Sequence, residues 1–155
     1  MKYLVDILTA ILIFGIVLFL IHKPIPELQP SSLSLRGIDG YSINPNQEFL
    51  ILHIGSIECM TCKRDTQILM RHHFRYPNIP IIDANILYTD SDEKKLMEWK
   101  KTVDLDYTVA IIENPSIVHY PIPTTLIVHQ NKITKIFGAL TYEKLTEITE
   151  TISSQ

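Results

Sequence analysis

The chain has 155 residues, about one domain by length, with a net charge of −3 and 20% charged residues. No basic excess points to nucleic acid, and no acidic run points to a disordered tail. A hydrophobic fraction of 46% is ordinary for a folded protein that carries one membrane segment.

That segment is the first predicted element. Residues 4–21 are apolar except for Asp6, Thr9 and Gly15, and eighteen helical residues span about 27 Å, close to a bilayer core. A cleaved signal peptide is the competing reading. Against it, Leu20-Ile-His-Lys-Pro-Ile-Pro offers no small-residue cleavage site, and no cysteine follows closely for lipid attachment. The expectation is an uncleaved transmembrane anchor over residues 1–22. Lys2 and Lys23 flank it almost symmetrically, so charge gives little orientation. A three-residue tail usually stays in the cytoplasm, which places the rest of the chain outside, where disulfides persist.

Residues 23–32, with Pro24, Pro26, Pro30, Ser31 and Ser32, read as a stiff linker, and 33–155 as the folded domain. Leu33 to Ile43 alternates loosely and is expected to form a hairpin turning at Gly37 and Gly40. Phe49 to Ile54 is apolar except for His53, the pattern of a central strand covered on both faces. Lys63 to Phe74 reads as a helix that stops before Pro77, and Ile79 to Asp83 as a strand. Ser91 is the expected N-cap of a helix running past Trp99. Tyr107 to Ile112 is a short strand. Thr124 to His129 and Lys132 to Phe137 form a hairpin across Gln130-Asn131, where Asn tolerates positive φ. Tyr142 to Ile152 closes the chain as an amphipathic helix with Leu145, Ile148 and Ile152 on one face. Alternating strands and helices argue for an α/β fold, with a mostly parallel sheet, helices on both sides and an antiparallel edge from the final hairpin.

Chemistry concentrates in Cys59-Met60-Thr61-Cys62, which holds the chain's two cysteines at a strand-to-helix junction. The helix N-terminus favours the thiolate, the reactive form. A disulfide across so short a loop constrains the unfolded chain little, which argues against a mere staple. A zinc site needs further ligands, and His72 and His73 lie roughly 15 Å along the helix. Two thiolates suit Cu(I), so a metal-binding module is the alternative. Met60-Thr61-Cys62 is similar to the start of a copper-chaperone motif, but that motif's second cysteine would fall at Asp65. In the redox reading, Cys59 is the exposed nucleophile and Cys62 the buried resolving thiol. Lys63 and Arg64 lower the pKa of Cys59, and Glu58 raises it.

Tyr120-Pro-Ile-Pro-Thr-Thr supplies a second element, with Pro123 directly before a strand. Together with the cysteine pair, Ile122-Pro123-Thr124 resembles the cis-proline element of the thioredoxin-like superfamily. Lys132 to Leu145 is similar to that fold's last hairpin, glycine and helix, with Gly138 allowing close approach of backbone. The added stretch Asp104 to His119 resembles the extra strand and helix of TlpA-like membrane-anchored thiol:disulfide oxidoreductases. The resemblance covers roughly residues 33 to 150. It implies a central mixed sheet flanked by helices, catalysis at Cys59, Cys62 and Pro123, and substrate backbone held by Ile122 and Thr124. It implies no cofactor and no resident metal. Protein thiol or disulfide clients and a membrane or periplasmic redox partner are the implied partners. The implied location is the bacterial inner membrane, single-pass, with the domain extracytoplasmic. Four positions depart from the family pattern. Glu58 replaces the usual Trp, Met60-Thr61 contains no proline, and the family's proline after the acidic residue at Asp65 is missing. His53 stands six residues before Cys59, where thioredoxins carry a buried Asp; there it is a candidate general base near neutral pH. The bland alternative is a neutral strand histidine satisfied within the core. His72, His73, Arg71 and Arg75 are expected on a solvated helix end, and His119 and Tyr120 along a substrate groove.

Overall fold

The computed structural model describes residues 28–130 and 132–154, together with Leu12. The expected anchor therefore lies outside the described residues, apart from Leu12. Among the described residues no helix is long and apolar enough to cross a membrane.

The strands are β1 (Leu35–Gly37), β2 (Ser42–Ile43), β3 (Phe49–Gly55), β4 (Ile81–Asn85), β5 (Thr108–Ile112), β6 (Thr124–His129) and β7 (Lys132–Phe137). The helices of this region are α1 (Met60–Arg75), α2 (Asp92–Val103) and α3 (Tyr142–Ser153). The strands form one seven-stranded sheet in the order β2-β1-β5-β4-β3-β6-β7. Only β3–β4 and β4–β5 are parallel; the flanking pairs are antiparallel. The sheet is thus mixed rather than mostly parallel, because the 33–43 hairpin joins it alongside β5 in addition to the closing hairpin.

β3 is an interior strand, between β4 and β6, because its run of apolar residues can be buried on both faces. Ile51 faces a core cluster with Ile81, Val109, Ile111 and Ile127, closed by Leu69 of α1, Leu96 of α2 and Leu145 of α3. Leu50, Leu52 and Ile54 face a second cluster with Ile82, Ala84, Ala110, Ile112 and Leu126. That second face is covered by Leu28, Leu33 and Leu35, with Val118, Tyr120 and Ile122 packed against it. The buried leucines of α1, α2 and α3 therefore share one face, and extended chain covers the other. The stretch read as linker is folded onto the sheet from Leu28, which is 5% exposed and whose amide donates to the Tyr120 hydroxyl at 3.0 Å.

The local signals act as their chemistry dictates, with exceptions. Gly40 takes φ 88° in the β1–β2 turn, and its amide donates to the Gly37 carbonyl. Gln130 holds the positive φ in the last hairpin; Asn131 lies outside the described residues. Ser91 occupies the N-cap position of α2 but makes no side-chain cap. Asp92, the first residue of α2, instead ties down the preceding loop, accepting from the Tyr88 and Thr89 amides at 2.9 and 3.0 Å and from the Thr89 hydroxyl at 2.7 Å. The extra stretch after α2 supplies β5 and only a single 3-10 turn, Pro115–Ile117, where a helix was expected. His72 is fully buried rather than solvated. Its Nε2 lies 3.0 Å from Thr149 Oγ1 of α3, because α1 and α3 pack side by side.

Candidate functional site

β3 ends at Gly55, and a short loop leads into α1 with Cys59 as its N-cap. The Cys59 amide donates to the Ser56 carbonyl at 3.1 Å, which folds the loop back on itself. The Cys59 sulfur accepts from the Cys62 amide at 3.1 Å, taking one of the donors that a helix start leaves open. The two sulfurs are bonded to each other. Cys59 is half-buried and Cys62 is 5% exposed, so a client approaching from solvent meets Cys59 first.

Gly55 makes room for this pair. A Cβ built there would stand 3.0 Å from Cys62 Sγ, 3.1 Å from its Cβ and 3.6 Å from His53 Nε2. His53 Nε2 and the Cys62 sulfur thus face the same small space. His53 Nδ1 lies 3.0 Å from Thr125 Oγ1 on β6, and Nε2 has no partner. Complete burial pushes the imidazole pKa down to about 4. His53 is therefore neutral near pH 7 and a weak base, because burial disfavours the imidazolium it would become on taking a proton. The ring sits where the resemblance places it, and desolvation lowers its basicity.

The Ile122–Pro123 bond is cis, as the resemblance implies. Pairing of Thr124 with Ile54 brings Pro123 to the end of β3 from which the cysteine loop departs. The Pro123 carbonyl accepts from the Gly138 amide at 2.9 Å. Gly138 has φ 79° and nothing within 4 Å of a built Cβ, so backbone conformation, not close approach, explains the glycine. Thr124 is buried, with its hydroxyl donating to the Pro121 carbonyl. Ile122 is partly buried against the second core cluster. The Thr124 side chain is therefore committed within the protein. Tyr120 is half-buried, bonded to Leu28 and edge-on to Phe137 at 5.5 Å, while His119 is exposed.

Glu58 stands exposed beside Cys59, with its carboxylate 2.7 Å from Lys95 Nζ of α2; Lys95 also reaches Asp92 at 3.2 Å. The negative charge expected to oppose a Cys59 thiolate is thus paired with a cation from another element.

Two buried carboxyls lie nearby. Asp65 accepts from the Leu140 amide at 3.1 Å, and its second oxygen has no partner. Burial pushes its pKa up to about 6, against the pull of that hydrogen bond and of Arg64. Asp83 on β4 pairs in register with His53. Burial pushes Asp83 up to about 7, opposed by the Asn85 hydrogen bond and reinforced by the charge of Asp65. Asp83, Asn85, Thr125 and Lys95 were not singled out from sequence. Asp83 had a signal available, since parallel pairing of two adjacent strands carries it beside His53. Lys95 had none, because α2 meets the loop only in the folded chain.

Among the described residues no three His, Cys, Asp or Glu side chains form a group able to hold a metal ion. In the oxidised state neither sulfur is free to act as a thiolate ligand.

No family model matches the chain, and neither does any curated protein. Solved structures do. StoA from Bacillus subtilis shares 18% identity at TM-score 0.64, over 77% of this chain and 97% of that one. A secreted Mycobacterium tuberculosis disulfide oxidoreductase, homologous to E. coli DsbE, shares 10% at 0.67, over 79% and 96%. A thioredoxin-family thiol:disulfide interchange protein from Chlorobium tepidum TLS shares 12% at 0.64, over 81% and 98%. At these identities the likeness establishes the fold, which is thioredoxin-like.

Proposed function

We propose that this thioredoxin-like chain is a thiol:disulfide oxidoreductase working through Cys59 and Cys62. The observation that carries the reading is the asymmetry of the pair: a half-buried cysteine at a helix N-cap, bonded to a buried one a turn further in. The structural neighbours, themselves described as disulfide oxidoreductases or interchange proteins, support it.

In the reducing direction, the Cys59 thiolate attacks a client disulfide. One client sulfur leaves as a thiolate and takes a proton from solvent. Cys62, once deprotonated, attacks the Cys59 sulfur of the mixed disulfide and releases the second client thiolate. The client gains two electrons and two protons, and the enzyme keeps the Cys59–Cys62 bond. The oxidising direction is the reverse. The helix N-terminus favours the Cys59 thiolate in both. Pro123, at the same end of the sheet, is assigned with the flanking Ile122 and Thr124 backbone to holding the client chain.

The reading extends to an inner-membrane anchor in residues 1–22, exported protein clients and a membrane or periplasmic redox partner. Its support is the apolar run at 4–21 and the exchange chemistry itself. Insulin reduction by the reduced full chain in detergent tests the catalytic core. Activity is expected in the wild type, loss in Cys59→Ser, and accumulation of a mixed disulfide in Cys62→Ser. Full activity of Cys59→Ser refutes the assignment.

A further inference from the structure

A buried resolving thiol has to lose its proton before it can attack, and water is largely kept from Cys62. The residue at the expected position for an acceptor, His53, is a weak base because burial disfavours its protonated form, and it does not line the cavity that Cys62 shares with Asp83. Asp83 stands next to it in the β3–β4 register, on the same face of the sheet. A small cavity of ≈ 10 Å³ is lined by Cys62, Asp83, Asn85 and Ser56, with Thr66, Lys63 and Trp99 completing the wall. That volume is at the lower limit for a single water molecule. Within α1, Thr66 Oγ1 donates to the Cys62 carbonyl at 3.2 Å, so the hydroxyl that lines this wall is bonded back to its own helix.

We propose that Asp83, not His53, takes the Cys62 proton across this shared cavity during resolution and returns it in the reverse reaction. This rests on the exchange reading above and names the proton acceptor within it. The balance is simple. The Cys62 S–H bond breaks as an Asp83 carboxylate oxygen binds the proton. The Cys62 sulfur then bonds to the Cys59 sulfur, and the client thiolate leaves with the electron pair of the broken mixed disulfide. Asp83 passes its proton outward to the departing thiolate or to solvent, which restores the carboxylate. In oxidation of a client, neutral Asp83 protonates the Cys62 thiolate as it leaves. Asn85 Nδ2, 3.4 Å from Asp83 Oδ1, orients the carboxyl and supports the ionised form. The other titratable groups around Asp83 are His53 on β3, Tyr107 before β5, and Cys62, Lys63 and Asp65 on α1.

The test follows the two releases of thionitrobenzoate when the reduced full chain, in detergent, meets the aromatic disulfide dithiobis-nitrobenzoate. The first release reports attack by Cys59 and the second reports resolution by Cys62. In Asp83→Asn the second release is expected to slow by at least about tenfold below pH 8, with its pH midpoint displaced upward. The first release should stay within about twofold. A second-phase profile that is the same in Asp83→Asn and wild type overturns the proposal. So does one that moves with His53→Asn instead. Absence of a second release in the wild type overturns both this inference and the exchange reading, whereas a normal wild type with an indifferent Asp83→Asn sinks only the former. Should Asp83→Asn fail to fold, the ¹³C carboxyl titration of Asp83 in the wild type decides. Its midpoint must differ between the oxidised and dithiol states, and identical midpoints refute the coupling.

Discussion

At the scale of single residues, Gly55 shows how little slack the cysteine pair has. Its backbone needs no positive φ, so its identity is set by what a side chain would strike, the sulfur and Cβ of Cys62. Gly55→Ala inserts a methyl group into a contact of 3.0 Å, and the first turn of α1 or the end of β3 has to shift. Overpacking of this kind costs about 1–3 kcal/mol. Denaturant unfolding of the oxidised protein should show that loss, and the resolution step should slow with it; an unchanged midpoint would refute the packing account. The cysteine motif was legible in sequence because its chemistry is local. The proposed acceptor was not singled out, because the signal for Asp83 appears only once β3 and β4 are paired in parallel.

At the scale of elements, β6 and β7 keep the bounds their alternation predicts, Thr124 to His129 and Lys132 to Phe137. β4 begins at Ile81 rather than Ile79, since Pro80 has no amide to give the ladder; its carbonyl instead accepts from Ile51 at 3.0 Å. α2 begins where sequence suggests, but Ser91 makes no side-chain cap and Asp92 instead bonds the loop before the helix. The depressed pKa of Asp92, set chiefly by the Thr89 hydroxyl and the Tyr88 amide, reflects that network. Asp92→Ala should therefore lower the melting temperature clearly more than Ser91→Ala. The reverse order in thermal unfolding would refute the Asp92 network as what holds the start of α2. Because Lys95 bridges Asp92 and Glu58, the α2 start and the rim of the cysteine site share one ion-pair network.

At the scale of the whole molecule, burial sets a pH window. His53 and His72 are each pushed down to about 4, so the unfolded chain takes up protons that the folded one refuses. Their contribution is present above the ordinary histidine value and is lost as pH falls from about 6.5 toward 4. Asp65 and Asp83 act with the opposite sign. Their contribution is complete below the ordinary carboxyl range and is lost as pH rises through about 6 and about 7. The two pairs oppose each other between pH 4 and 6.5. Replacing one histidine exposes its share: His72→Gln should lose less stability than the wild type between pH 6.5 and 4 in urea unfolding. An equal loss in both would remove His72 from the balance. None of this was readable beforehand, because His72 sits in a run of basic residues at a helix end and is buried only by the arrival of α3. The N-terminal boundary escaped for a similar reason. A stretch rich in proline and serine reads as spacer, and only the assembled sheet offers Leu28 an apolar bed.

The Leu28 amide bonded to the Tyr120 hydroxyl has a mechanical side. Tyr120 sits immediately before Pro121-Ile-Pro123. If residues 1–22 tether the chain as proposed, tension upstream of Leu28 would pass through this hydrogen bond to Tyr120, beside the turn assigned above to cargo.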